Sequence, residues 1–126
     1  MTLAHLQIEA ERYAAAGTTL RGLLESYPQS SRAADADLLR AYVLGKQYEE
    51  TPNDDKKQVY RAALGEHRTR FAESPTAAEA SWRLSRLEEF DRNWQDAIAL
   101  LESIPAGSER SGEAQARLAM VYEQAL

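Results

Sequence analysis

Apolar and small residues recur along this chain at alternating steps of three and four, the spacing that gathers them on one face of an α-helix. The first run is Leu3, Leu6, Ala10, Tyr13, Gly17, Leu20, Leu24 and Tyr27. It predicts one helix from Leu3 to Ser26, stopped by Pro28. Gly17 lies on the stripe, which points to a close helix contact there. The second run is Ala34, Leu38, Ala41, Tyr42, Gly45 and Tyr48. It predicts a helix from near Ser31 to Glu50, with Ser30 or Ser31 as N-cap. Thr51-Pro52-Asn53-Asp54 then reads as a stop, a turn and a new cap.

The third helix is predicted from Asp54 to Glu73, with Val59, Tyr60, Ala63, Leu64, His67 and Phe71 on its inner face. Ser74-Pro75 reads as an N-cap followed by a first-turn proline. The fourth helix carries Ala77, Ala80, Leu84 and Leu87 inward, holds Trp82 and Phe90 elsewhere, and ends near Asp91 or Arg92. Asn93 caps a short fifth helix with Trp94, Ala97, Ile98 and Leu101 on one face. After a loop at Pro105-Ala106-Gly107-Ser108, a sixth helix holds Ala114, Leu118, Val121, Tyr122 and Ala125. No segment alternates with period two, so the predicted class is all-α, with about six helices.

One phrase recurs at the helix boundaries. Glu25-Ser26-Tyr27-Pro28 leads to Ala33-Ala34-Asp35-Ala36, and Glu73-Ser74-Pro75 leads to Ala77-Ala78-Glu79-Ala80. Glu102-Ser103-Ile104-Pro105 leads more distantly to Gly112-Glu113-Ala114. Proline stops a helix or opens the next, and the small residues that follow permit close approach. A recurring helix-stop-helix phrase marks a stacked helical repeat.

The length of 126 residues suits one domain spanning 1-126. The net charge of -5 argues against a general nucleic-acid binder and against anionic membrane surfaces. There is no cysteine, hence no disulfide and no thiolate metal site. The start, Met1 to His5, has no basic residues followed by an apolar run, so a cytoplasmic location is the default expectation. A periplasmic one applies if the chain is an excerpt of an envelope protein.

Candidate chemistry is sparse. His67 on an apolar face reads as a core histidine, and His5 as a solvated one. Neither belongs to a His-x-x-x-His or Glu-x-x-His pair, so no metal and no cofactor is expected. Glu49, Glu50, Asp54 and Asp55 crowd one turn but lack calcium-loop spacing, and read as solvated charge and capping. Lys56, Lys57, Arg61, Arg68 and Arg70 form a basic stripe interrupted by Glu66 and Glu73, a mixed-charge solvated face. No nucleophile elbow or phosphate-binding glycine loop is present, so an enzyme is not expected.

Asn93-Trp94-Gln95-Asp96-Ala97 resembles the start of the second helix of a tetratricopeptide repeat, where an aromatic precedes a small crossing residue by three. Leu118-Ala119-Met120-Val121-Tyr122 resembles the first helix of such a repeat, and Leu38-Leu39 with Tyr42 and Tyr48 is a looser copy. Ala16, Leu20, Leu23, Tyr27 and Pro28 resemble the end of a second helix. Tyr-Pro-x-Ser followed by alanines is similar to the repeats of bacterial cell-envelope assembly proteins. The spacing departs from the family: Pro28 and Pro75 stand 47 residues apart and Pro75 and Pro105 stand 30 apart, against a period of about 34. The resemblance implies antiparallel helix pairs stacked as a short right-handed solenoid.

It also implies a non-enzymatic module that binds a peptide or protein partner in a groove lined by the first helices of the pairs. Carried over by position, the partner-binding residues are Arg40, Trp82, Arg83, Arg86, Arg117 and Met120. Tryptophan and arginine are enriched at binding hot spots, while a Trp82 that packs on a neighbouring helix is the competing reading. The lysine-asparagine pattern that clamps a chaperone's C-terminal carboxylate is absent. A spacer segment of an envelope or multiprotein assembly is the alternative function, and a nucleic-acid contact through the third helix stands behind it. The last helix carries Leu118, Val121, Tyr122 and Leu126 without a following helix to cover them all, so the expectation is either a homodimer through that helix or an excerpt whose next helix lies in missing sequence.

Overall fold

The computed structural model describes residues 2-126. Among them there are seven helices and no strand: α1 Thr2–Glu9, α2 Tyr13–Ser26, α3 Ala33–Glu50, α4 Asp54–Arg70, α5 Thr76–Phe90, α6 Trp94–Glu102 and α7 Ser111–Ala125. Consecutive helices pack in pairs: α1 on α2, α2 on α3, α5 on α6 and α6 on α7. The chain forms two compact units, one ending at Ala63 and the other beginning at Leu64, with the division inside α4.

The single helix expected from Leu3 to Ser26 is two helices. The chain breaks at Glu11, whose φ is 59°. The amide of Glu11 donates to the carbonyl of Ile8 at 2.9 Å and that of Arg12 to Gln7 at 2.8 Å. This is a Schellman closure, with a left-handed residue just past the helix end. The residue in that position is glutamate rather than glycine, so no sequence signal announces the stop. The break also resets the phase of the stripe. Leu3 and Leu6 are exposed, Ala4 is buried, and the buried face resumes as Ala16, Leu20 and Leu24. Tyr27, expected on the stripe, is exposed too.

The second unit repeats the device. Arg92 has φ 61°, its amide donates to Glu89 at 3.0 Å, and that of Asn93 donates to Glu88 at 2.8 Å. Each turn feeds a helix that opens with the same pattern. Tyr13, Ala16 and Leu20 in α2 correspond to Trp94, Ala97 and Leu101 in α6, 81 residues later. In both, the aromatic is half-buried and the alanine and leucine are sealed. An alanine at a crossing lets two helix backbones approach, and the aromatic covers the flank of the crossing.

Capping differs from boundary to boundary: at α3 the N-cap position is Arg32, without a side-chain cap, rather than Ser30 or Ser31. Asn53 Oδ1 accepts the amide of Lys56 at 2.8 Å, which starts α4 as expected. Ser74 Oγ accepts the amide of Thr76 at 3.3 Å at the start of α5. Asn93 stands before α6 but makes no side-chain cap; its amide nitrogen donates instead to Glu88 Oε2 at 2.9 Å. Gly17 is not forced by a close contact, since an added Cβ would meet Val43 at an ordinary 3.9 Å. Gly45 is the crowded glycine: a Cβ there would lie 2.8 Å from the Tyr60 ring.

The core of the second unit is Ala78, Ala97, Ile98, Leu101, Ile104, Ala114, Leu118 and Val121, with Trp82, Trp94 and Ala125 packed against it. The expectation that the last helix leaves its stripe uncovered is therefore corrected for Leu118 and Val121, which α6 and α5 help to bury. Tyr122 and Leu126 remain exposed. On the inner face of α4, Ala63, Leu64 and His67 are buried, but Val59 is exposed. His67 places Nε2 2.7 Å from Thr76 Oγ1 and its ring centroid 5.2 Å from that of Phe71. No helix among the described residues is long and apolar enough to cross a membrane.

Two stability measurements check this account. Ala97→Leu overpacks the α5/α6/α7 crossing and should lower stability by about 1–3 kcal/mol in urea unfolding; an unchanged midpoint would place Ala97 away from the crossing. Arg92→Gly removes the side-chain penalty of the left-handed turn and should raise stability by about 0.5–1 kcal/mol, part of the gain being offset by glycine's greater unfolded-state freedom.

Candidate functional site

Residues on α5 at steps of three and four, Glu79, Trp82, Arg83, Arg86, Glu89 and Phe90, meet the start and middle of α7. Glu79 is the electrostatic centre of this face. Arg110 grips it with two parallel bonds, Nε to Oε2 at 2.6 Å and Nη2 to Oε1 at 2.9 Å. Arg83 Nε donates to Glu79 Oε1 at 2.9 Å from one turn along α5. Arg110 also reaches Glu113 at 2.9 and 3.0 Å. Forked guanidinium-carboxylate pairs of this kind fix geometry as well as charge. Here they fasten the loop before α7 to the first turn of α5.

Burial pushes the Glu79 carboxyl up, but the Arg110 hydrogen bond and the charges of Arg83 and Arg110 outweigh it and hold the group below its ordinary value of 4.5. The Glu79 hydrogen bond likewise holds Arg110 above its ordinary value.

Trp82 lies between core and surface. One part packs against the core of the second unit. The guanidinium carbons of Arg110 and Arg86 stand 5.1 and 5.7 Å from its ring centroid, within cation–π range. Trp82 thus packs against neighbouring residues, as the competing reading expected.

A cleft of about 410 Å³ opens beside this network. Arg86, Glu89 and Phe90 of α5 line it with Trp94 of α6 and Arg117, Met120 and Val121 of α7; Glu123 and Gln124 complete the rim. Phe90 is 79% exposed and Met120 is 53% exposed. Arg117 is bonded to Glu89 through Nη2, and its Nη1 stands 3.4 Å from Met120 Sδ. Glu89 Oε2 and Arg117 Nε are buried without a hydrogen-bond partner among the described residues. Arg86 makes no ion pair among the described residues; its guanidinium stands over the Trp82 ring. On the far side of α7, Tyr122 donates to Glu102 at 2.7 Å, a bond that raises the pKa of the phenol.

Of the residues assigned by position, Arg86, Arg117 and Met120 meet in this cleft. Trp82 and Arg83 belong to the adjoining Glu79 network rather than to the cleft wall. Arg40 sits on α3 in the first unit, 3.6 Å from Asp37, whose side chain is buried. Sequence reasoning missed Phe90 and Glu89 as cleft residues. The four-residue step from Arg86 to Phe90 places them on one face and was available in the sequence; nothing in the sequence marks Glu89 as half-buried against Arg117. Arg68, read as part of a solvated stripe, is half-buried and donates through Nε to Ser81 Oγ at 2.7 Å. No cluster of three or more potential metal ligands occurs among the described residues.

The Glu79 network makes a pH prediction. A carboxyl held below its ordinary value stabilises the fold above that value, and the contribution is lost as pH falls through the lower folded one. Urea midpoints measured between pH 7 and pH 3 should therefore fall below about pH 4.5. Glu79→Gln should cost about 1 kcal/mol at pH 7, kept small because the pair is partly solvent-screened, and should flatten that acid slope.

Compared with known proteins, the chain matches no family model, no curated protein and no solved structure.

Proposed function

We propose that this chain is a non-enzymatic protein-interaction module whose second unit receives a peptide segment in the cleft between α5 and α7. The observation that carries this reading is Phe90, a large apolar side chain that is 79% exposed, one helical turn from Arg86, which has no carboxylate partner among the described residues. An exposed aromatic beside an uncommitted guanidinium suits a segment that offers an apolar side chain next to an aspartate or glutamate. Met120 and Trp94 extend the apolar wall, and the flexible thioether adapts to different side-chain shapes.

The tetratricopeptide-like assignment, a short right-handed solenoid of antiparallel pairs, belongs to the same proposal. What supports it is the recurrence of an aromatic, a sealed alanine and a sealed leucine at Tyr13-Ala16-Leu20 and Trp94-Ala97-Leu101, each after a left-handed turn.

Selection of peptides from a random library on the 126-residue chain, followed by fluorescence polarisation, tests the reading. Enriched peptides should share a large apolar residue with an acidic neighbour. Phe90→Ala and Arg86→Gln should each weaken binding about tenfold, or roughly 1.4 kcal/mol, with the circular dichroism unchanged. Arg40→Gln serves as the control with intact affinity. Absence of an enriched motif, or binding indifferent to both cleft substitutions, would remove the proposal.

A further inference from the structure

A second cleft, of about 400 Å³, lies in the second unit between the end of α4, the start of α5 and the turn after α6. Its polar lining is one guanidinium and four hydroxyls: Arg68, Ser74, Ser81, Ser103 and Ser108. No carboxylate lines it, although acidic residues outnumber basic ones in the chain by 20 to 15. The remainder of the wall is alanine and proline, including Ala77, Ala78 and Pro105. The peptide-binding cleft, by contrast, includes Glu89 and Glu123.

The hydrogen bonds around this second cleft leave specific donors over. Arg68 is anchored by Nε on the buried Ser81 Oγ at 2.7 Å. That bond fixes the plane of the guanidinium and leaves its two terminal nitrogens without a partner among the described residues. Ser103 donates to the carbonyl of Leu100 at 2.6 Å and stands 3.4 Å from Ser81 Oγ. Ser108 Oγ is buried and has no hydrogen-bond partner among the described residues. A buried hydroxyl of that kind is rare and calls for an acceptor. The start of α5 is not a donor here, because the amides of Thr76, Ala77 and Ala78 are bonded to Ser74 and Pro75. The site rests on side chains.

We propose that this cleft binds the oxyanion of a small, singly charged organic acid. The terminal nitrogens of Arg68 receive two oxygens side by side, the geometry a guanidinium fork favours. Ser108 donates to one of the same oxygens. The alanine and proline wall takes the hydrocarbon part, and the volume suits a small molecule. A single cation matches a single negative charge. A dianion would place a second, uncompensated charge against an apolar wall.

The test is a titration of the whole chain followed by ¹H–¹⁵N spectra, with sodium butyrate, sodium phosphate and sodium chloride as separate arms. Butyrate should give saturable shifts at the amides of Ser81, Ser103 and Ser108 and at Arg68 Nε. Arg68→Lys keeps the charge but loses the fork and should weaken binding about tenfold. Ser108→Ala should weaken it about threefold while leaving the fold intact. If Arg68→Lys does not fold, Ser108→Ala decides, and unchanged butyrate affinity in that variant overturns the proposal. Absence of saturation with butyrate also overturns it. Phosphate binding as tightly as butyrate would refute the preference for a single charge, and identical shifts with chloride would reduce the site to general anion screening.

Discussion

Two residues in the left-handed region, Glu11 and Arg92, govern how each unit packs. A residue at φ near +60° turns the chain in a single step and lets the next helix pack on the one before. Only after such a turn do the sealed alanines, Ala16 and Ala97, meet the preceding helix at close range. Leu20 and Leu101 follow one turn on, and α3 and α7 then cover the exposed edge of α2 and α6. The cost of a non-glycine residue in this conformation, about 1 kcal/mol, is small beside the apolar surface that the turn buries.

This explains which parts of the fold were legible in the sequence. Boundaries marked by proline or a capping side chain were placed to within a few residues: Pro28, Pro52 with Asn53, and Ser74 with Pro75. The Arg92 turn was also found, because Asn93 and Trp94 follow it. The identical turn at Glu11 was invisible, since glutamate and arginine are ordinary helix residues and Tyr13 continued the three-four spacing across the break. A periodic stripe reports a helix only while the backbone remains helical. Once the phase resets, the same letters predict the wrong face, as Leu3 and Leu6 show.

The candidate site was legible in its residue types more than in its arrangement. Helical spacing brings Arg86 and Phe90 together on α5, and Arg117 and Met120 together on α7, so each pair was available from the sequence. Which arginines remain uncommitted was not. Arg83 and Arg110 are consumed by Glu79 and Arg117 by Glu89, while Arg68 is anchored on Ser81 through Nε alone. Those partners depend on tertiary contacts over separations of 31, 28 and 13 residues for Arg110, Arg117 and Arg68. Charge counting along a helix cannot tell a spent guanidinium from an available one.

Trp82 illustrates why exposure, rather than residue type, should guide the search for a binding surface here. Its ring supports the core of the second unit and is flanked by Arg86 and Arg110, so its removal would disturb packing, the Glu79 network and the cleft rim at once. Truncating a large, half-buried aromatic costs several kcal/mol in its own right, and a loss of partner binding in that variant would carry no information about contact. Phe90 lies on the same helix, offers an aromatic face to solvent and bears little of the core. Truncation of an exposed side chain outside the core perturbs packing little, so on this helix the proposed peptide contact is separable from stability at Phe90 and not at Trp82.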